Sequence, residues 1–162
     1  VAAIQIPVGR EANFSGLIDL VDKKLIHYKE DLSKEDMGKS FEVKEIPEEM
    51  MAEFDKYRAI LVEKVAEADD LIMEDYLAGK IVTNEKLKAG IHRGCIANKF
   101  IPVLCGSSLK NKGVQMVLDA VVDYLPSPID VPPVKGTNPD TGEFEEVVAD
   151  DKSPFTAYQF HL

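Results

Sequence analysis

The chain has 162 residues, 45% apolar and 30% charged, a composition typical of a globular protein that needs no disulfide or metal to fold. Nineteen basic and 29 acidic residues give a net charge of −10, which disfavours direct, sequence-specific nucleic-acid binding because such binding depends on neutralising phosphates. No apolar run approaches the ~20 residues of a membrane span and no secretory leader is visible, so we expect a cytoplasmic protein without a membrane partner.

Both ends of the chain have strand patterns, VAAIQIPV at the start and PFTAYQFHL at the end. A single strand is not stable without a partner. We therefore expect the chain to be a piece of a larger protein.

The first 46 residues predict strands joined by polar turns. The predicted strands are residues 2–8, the two halves of 14–28 around a hairpin turn at 22–24, and a short strand over 41–46. Residues 29–40 are charged and contain Gly38, so they are predicted to form a loop.

Three helices are predicted next, over residues 48–68, 69–77 and about 83–98. The apolar face of the first helix is predicted to consist of Met51, Phe54, Tyr57, Leu61 and Val65. Residues 48–79 contain ten acidic and three basic residues, a net charge of −7. This acidic stretch indicates either a solvated surface or a docking surface for a basic partner.

Residues 100–126 predict one strand–loop–helix unit. The apolar run 100–104 is typical of a parallel strand buried on both faces, although Pro102 favours an edge or a strand start. A clean apolar stripe follows on the helix: Val114, Val117, Leu118, Val121, Val122 and Leu125. One such unit cannot form a sheet, so we expect the stripe to be under-buried and the unit to pack back on the preceding residues, to pair with another copy or to be mobile.

Residues 127–154 are rich in Pro, Asp, Gly and Thr and are predicted to be a linker with a short hairpin near Thr141–Gly142. Few candidate catalytic groups are visible. His27, His92 and His161 lie on different segments, and Cys95 and Cys105 fit no zinc spacing and are predicted to be reduced packing residues.

The loop between the strand and the helix, residues 106–113, is the best candidate for a ligand site, because ligands of open α/β sheets bind beyond the carboxyl ends of the strands. Ser107 and Ser108 offer hydroxyl and backbone N–H groups there. The alternative is that the loop only caps the helix. No phosphate-binding loop motif occurs anywhere in the sequence.

The stretch FIPVLCGSSLKNKGVQMVLDAVVDYLPSPIDVPP resembles the end of the GTPase domain of the bacterial translation elongation factor G family. The opening IQIPVGREANFSGLIDLVDKKLIHY resembles the start of that family's G′ insert, and SPFTAYQFHL is similar to the first strand of its second domain. The resemblance implies four regions: a G′ insert over 1–99, the last strand–loop–helix of the GTPase domain over 100–128, a linker over 129–154 and the start of a β-barrel over 155–162.

The implied fold class is α+β, a mixed-sheet insert with flanking helices followed by the last β–α unit of a P-loop GTPase fold and a truncated barrel strand. The resemblance also implies that Gly106, Ser107, Ser108 and Leu109 form the guanine-binding loop. A backbone N–H donates there to the carbonyl oxygen of the base, and Leu109 could pack on its flat face. The family usually has Ala at the position of Ser108, a difference that leaves the backbone donor in place.

The other nucleotide motifs of the family would precede Val1. The resemblance therefore implies that the parent protein binds GTP or GDP with Mg²⁺ and hydrolyses GTP during the movement of tRNA and mRNA on the ribosome, whereas this piece alone has no catalytic residue, cofactor or metal. The implied partner is the ribosome, particularly its stalk protein through the acidic residues 48–79.

Two alternatives remain open at this point. One is an autonomous acidic interaction module. The other is a related ribosome-associated GTPase of ribosome-protection, peptide-release or mitochondrial type. An Asn-Lys-x-Asp motif roughly 20 residues upstream of Val1 would exclude the autonomous module.

Overall fold

The computed structural model describes residues 1–29, 40–150 and 152–153, which form a mixed α+β fold with four helices and three small sheets in that part of the chain. Two compact units are present, Val1–Leu125 and Pro126–Leu162. None of the helices within the described residues is long and apolar enough to cross a membrane.

The main sheet of the first unit is antiparallel, with its strands paired in chain order. They are β2 (Gln5–Val8), β3 (Gly16–Asp19), β4 (Lys24–Tyr28) and β5 (Phe41–Lys44). The predicted hairpin turn joins β3 to β4. The carboxylate of Asp19 stabilises it by accepting hydrogen bonds from the N–H groups of Val21 and Asp22, at 2.7 and 2.8 Å. Most of the region predicted as loop, residues 30–39, lies outside the described residues.

The prediction of a single strand over residues 2–8 was wrong, because the chain changes sheets at Ile4. Before it, β1 (Ala2–Ala3) pairs in parallel with β6 (Pro102–Val103). Ile4 itself donates to the carbonyl of Val103 at 3.0 Å and accepts from the N–H of Leu20 at 2.9 Å, so it connects the two-stranded sheet with the antiparallel one.

Parallel pairing of the 100–104 run is confirmed, but burial on both faces is not: Ile101 is 60% exposed and Val103 is 43% exposed. In the described part of the chain β6 has one neighbour, β1, so its other edge has no strand beside it. Pro102 favours this edge position, because proline has no backbone N–H group to donate to a second neighbouring strand.

The three predicted helices are confirmed as α1 (Glu48–Ala66), α2 (Asp70–Leu77) and α3 (Asn84–Ile96). Side chains cap two of them: Asp69 accepts from the N–H of Ile72, and Thr83 from that of Lys86. Phe54, Leu61 and Val65 form the core face of α1, as predicted, and pack with the inner face of the antiparallel sheet.

Two residues of the predicted apolar face of α1 are not buried in the core. Met51 is exposed and Tyr57 is half-buried, whereas Arg58 is 8% exposed. The Arg58 guanidinium donates to the carbonyls of Leu20 and Val21 in the β3–β4 turn and, at 2.9 Å, to Oδ1 of Asn84 at the start of α3. These three acceptors compensate the burial of its charge.

The last helix of the first unit, α4 (Val114–Tyr124), begins after Gly113 and packs against α3. Tyr124 is buried, and Ala120 packs on the main core. The predicted under-burial of the apolar stripe is confirmed, since Leu118 is 62% and Val122 81% exposed. Of the three outcomes expected for this unit, the structure has the one in which the unit packs back on the preceding residues.

In the second unit, β7 (Val134–Thr137) and β8 (Phe144–Val147) form an antiparallel hairpin, which confirms the predicted turn near Thr141–Gly142. Asn138 begins the turn and accepts at Oδ1 from the N–H groups of Asp140 and Thr141. The strand predicted over residues 155–162 lies outside the described residues.

Candidate functional site

The 106–113 loop follows β6 directly and leads into α4. A pair of backbone hydrogen bonds closes it: the N–H of Ser107 donates to the carbonyl of Lys112 at 2.8 Å, and the N–H of Lys112 donates back at 3.0 Å. Between them, a 3-10 turn over Ser108–Lys110 and Asn111 in the left-handed region (φ 53°) reverse the chain. The loop therefore has a defined shape.

Glycine is required at both ends of this loop. A Cβ on Gly106 would lie 2.6 Å from the carbonyl oxygen of Lys112, and one on Gly113 would lie 2.8 Å from that of Cys105. Gly113 also has φ 91°, a conformation that residues with side chains rarely adopt. The two glycines let the strand end and the helix start approach each other closely.

The tip of the loop offers backbone donors. Among the described residues, the N–H groups of Ser107, Lys110, Asn111 and Lys112 have acceptors within the loop, whereas those of Ser108 and Leu109 have none. The Leu109 side chain beside them is 92% exposed. Two available N–H groups next to an apolar side chain suit a flat ligand that presents a hydrogen-bond acceptor at its edge.

Two buried contacts hold the base of the loop against the antiparallel sheet. The hydroxyl of Tyr28, fully buried at the end of β4, accepts from the N–H of Gly113 at 2.7 Å. The ammonium of Lys112, which is 6% exposed, donates to the carbonyl of Phe14 at 2.9 Å. Burial raises the pKa of Tyr28, so its hydroxyl stays protonated.

Sequence reasoning missed both Tyr28 and Lys112. No local pattern separates Lys112 from Lys110, since both lie in one polar turn, and Tyr28 follows the alternation of an ordinary strand residue. Their roles depend on contacts that span 85 and 98 residues of sequence.

Cys105 precedes the loop and is half-buried, and burial raises the pKa of its thiol to about 11. Cys95 on α3 is also a free thiol whose pKa is raised by burial. Because the thiolate is the reactive form, both residues suit the packing role that was predicted for them.

The acidic residues 48–79 are not all at the surface. Asp69 is buried and paired with Arg93 of α3, and Asp75 is paired with Lys80 and Lys86. The acidic residues that remain exposed form the surface called here the acidic surface: Glu48, Glu49, Glu53, Asp55, Glu63, Glu67, Asp70 and Glu74. Of the basic residues in this stretch, Lys56 and Lys64 lie beside them, and Arg58 is buried.

A cavity of about 290 Å³ lies between the start of β2, the β3–β4 turn, α3 and α4. Lys88 lies on its wall, 3.0 Å from Oδ2 of Asp22 and 4.0 Å from Oδ2 of Asp123. Burial raises the pKa of Asp19 on the same wall. The described residues contain no group of His, Cys, Asp and Glu that could hold a metal ion, and we assign no ligand to this cavity.

The sequence matches no protein-family model. Among solved structures, the chain is similar to a Thermus thermophilus protein known from a crystal structure, with 27% identity and a TM-score of 0.61. The similarity covers 81% of this chain and 19% of that one, so the chain spans about a fifth of the length of the protein that it matches.

Proposed function

We propose that the chain is the G′ insert and the end of the GTPase domain of a translation factor of the elongation factor G family. The shape of the 106–113 loop carries this proposal: a closed turn after a parallel strand, with two backbone N–H groups available at its tip. The sequence resemblance of residues 100–133 supports it. So does the structural similarity to a protein of which the matched part of this chain covers 19%.

In this proposal the loop recognises guanine in the whole protein. The N–H of Ser108 donates to the carbonyl oxygen of the base, and the exposed side chain of Leu109 packs on its flat face. Gly106 and Ser107 set the turn that presents them. The phosphates and Mg²⁺ bind to residues that precede Val1, and the parent protein hydrolyses GTP while tRNA and mRNA move on the ribosome.

The acidic surface is proposed to contact the ribosomal stalk protein. Its eight acidic residues are exposed on α1, α2 and the short connection between them, with two lysines among them. Complementary charge mainly accelerates encounter with a basic partner. Docking and guanine recognition then occupy different parts of the chain.

Ser108 allows a sharp test of guanine recognition in the full-length protein. Ser107 has φ −129° and ψ 100°, which suits a residue before proline, and Ser108 is the first residue of the 3-10 turn. Ser108→Pro therefore removes the N–H group with little strain. Loss of one hydrogen bond to the base is expected to raise the Kd for GDP roughly tenfold.

Ser108→Ala is the matched control, because it removes the hydroxyl and keeps the N–H. Its Kd for GDP should equal that of the wild type in equilibrium titration with a fluorescent GDP analogue. Equal affinity of the Pro and Ala variants would exclude the proposed contact, whereas absence of GDP binding by the full-length wild type would favour the autonomous interaction module.

A related ribosome-associated GTPase with the same insert would give the same result in this titration. Translocation measured on purified ribosomes distinguishes it, since a ribosome-protection or peptide-release factor would bind GDP without moving tRNA and mRNA.

A further inference from the structure

The proposed guanine loop and the antiparallel sheet are joined by two buried hydrogen bonds between residues far apart in sequence. Tyr28 lies on β4 and accepts from the N–H of Gly113. Lys112 belongs to the loop, and its ammonium donates to the carbonyl of Phe14, just before β3. Both side chains are more than nine-tenths buried, so water does not replace these contacts easily.

The two contacts act on the residues that close the loop. The backbone of Lys112 pairs with Ser107, and the Cα of Gly106 lies 3.1 Å from the position that a Cβ on Gly113 would occupy. A shift of residues 112–113 therefore moves Ser107, and with it the start of the 3-10 turn that presents the N–H groups of Ser108 and Leu109.

Other contacts pack the sheet side of this junction into the core. The ring of Tyr28 packs on that of Phe41 with centroids 5.8 Å apart, and it belongs to a small cluster with Leu17 and Ile26. Phe41 lies on β5, which with β2 is one of the two edge strands of the antiparallel sheet in the described residues. Packing in this cluster thus holds the Tyr28 ring in place, and its hydroxyl contacts Gly113 of the loop.

We infer that Tyr28 and Lys112 are positioning residues through which the antiparallel sheet holds the 106–113 loop in the conformation that recognises guanine. This inference rests on the proposed function of the loop. It makes the insert a determinant of nucleotide affinity, although neither residue touches the nucleotide.

The test uses the full-length protein with two variants and two matched controls. Tyr28→Phe removes only the hydroxyl, and Tyr57→Phe on α1 makes the same change away from the loop. Lys112→Met removes the buried ammonium. Lys99→Met makes the same charge change at an exposed position outside the loop.

The readout is the Kd for GDP and for 6-thio-GDP, whose sulfur is a poorer acceptor than the oxygen that it replaces. The wild type should prefer GDP. Tyr28→Phe and Lys112→Met should each weaken GDP binding roughly three- to tenfold and reduce that preference, because the donor is misplaced. Tyr57→Phe and Lys99→Met should match the wild type.

Three results would overturn the inference, and they are distinguishable. If the wild type prefers GDP but Tyr28→Phe and Lys112→Met retain its affinity and preference, the positioning role is wrong and the guanine loop stands. If both variants lower the melting temperature without changing the preference, the contacts are purely structural. If the wild type shows no preference, the guanine loop itself is wrong, and the positioning role fails with it. Should Tyr28→Phe fail to fold, Lys112→Met decides alone.

Discussion

At the scale of single residues, buried charges connect elements that the apolar core alone would not orient. Asp69 is the best example. Its Oδ1 accepts from the N–H of Ile72 and caps α2, while Oδ2 and Oδ1 accept from Nε and Nη2 of Arg93 at 2.6 and 2.9 Å. One buried carboxylate therefore caps the start of α2 and, through its ion pair with Arg93, holds α3 beside α2.

Asp69→Asn should destabilise the protein by about 1–3 kcal/mol, because asparagine still caps the helix but loses the charge that Arg93 requires. Asp69→Ala should cost about 1 kcal/mol more, since the cap is lost as well. Urea unfolding measures both. Asp70→Asn, at an exposed neighbour, is the control and should change the free energy of unfolding by less than about 0.5 kcal/mol.

The same residue predicts a pH dependence. The hydrogen bond from Arg93 lowers the pKa of Asp69 below its ordinary value of 3.8. A carboxyl with a lowered pKa in the folded state stabilises the protein above its unfolded pKa and loses that contribution as the pH falls through the folded pKa. The difference in unfolding free energy between wild type and Asp69→Asn should therefore be constant at neutral pH and shrink below about pH 4. An unchanged difference at pH 3 would contradict the ion pair.

At the scale of elements, the position of α3 depends on its small residues. A Cβ on Gly90 would lie 2.7 Å from Cγ1 of Ile72 and 2.9 Å from Cγ1 of Val65, so α3 approaches both α1 and α2 closely. A Cβ on Gly94 would lie 2.9 Å from Cβ of Phe100, which leads into β6. Gly90 therefore sets the distances from α3 to α1 and α2, and Gly94 sets the distance from α3 to Phe100.

Gly90→Ala should lower stability, although alanine is favoured over glycine in helices by about 1 kcal/mol. Overpacking costs about 1–3 kcal/mol, and Ile72 and Val65 are β-branched and stiff at χ1, so they cannot move aside easily. Ala89→Leu, on the exposed side of the same helix, adds more volume and should be nearly neutral. A melting temperature of Gly90→Ala above that of the wild type would show that the helices can separate.

At the scale of the whole molecule, charge and exposed apolar surface are distributed unequally. The acidic surface lies on α1, α2 and their connection, whereas the exposed apolar stripe lies on α4. One surface is charged and the other is apolar, so we expect them to contact different partners.

The proposed stalk contact predicts strong salt dependence. Reversing Glu63 and Glu74 to Lys in the full-length factor should slow its association with stalk-bearing ribosomes at low salt, and the effect should shrink as salt shortens the ~8 Å screening length of physiological solutions. Stopped-flow mixing at two salt concentrations measures this. Reversal of Glu11 and Glu143, exposed elsewhere, changes the net charge equally and is the control. Equal association rates for both double variants would reduce the acidic surface to a solubility feature.

The 162-residue chain alone should neither bind GDP at micromolar concentration nor hydrolyse GTP. A single contact to the base supplies little of the binding energy, because the phosphates and their Mg²⁺ dominate recognition in P-loop GTPases, the class proposed for the parent protein. Calorimetric titration of GDP into the chain should therefore show no binding heat above dilution. Micromolar affinity would mean that the chain contains a phosphate site of its own.

Much of this architecture could be predicted from local pattern. The four helices, the β3–β4 hairpin and the β7–β8 hairpin each follow from a period of about 3.6 or 2 bounded by Gly, Pro and polar turns. The candidate loop was located in the same way, since its glycines and serines lie between an apolar run and a helical stripe. These features depend on residues a few positions apart, and the periods of helices and strands are visible over that distance in the sequence.

The tertiary structure alone decided where the chain changes sheets and which polar residues are buried. Ile4 joins two sheets because Val103 and Leu20 are both beside it, and Arg58 is buried because three acceptors from distant segments converge on it. Tyr28 and Lys112 look like ordinary strand and turn residues until Gly113 and Phe14 are placed next to them. A buried polar group is stable only when its partner is present, and partners 24 to 98 residues away leave no trace in a local pattern.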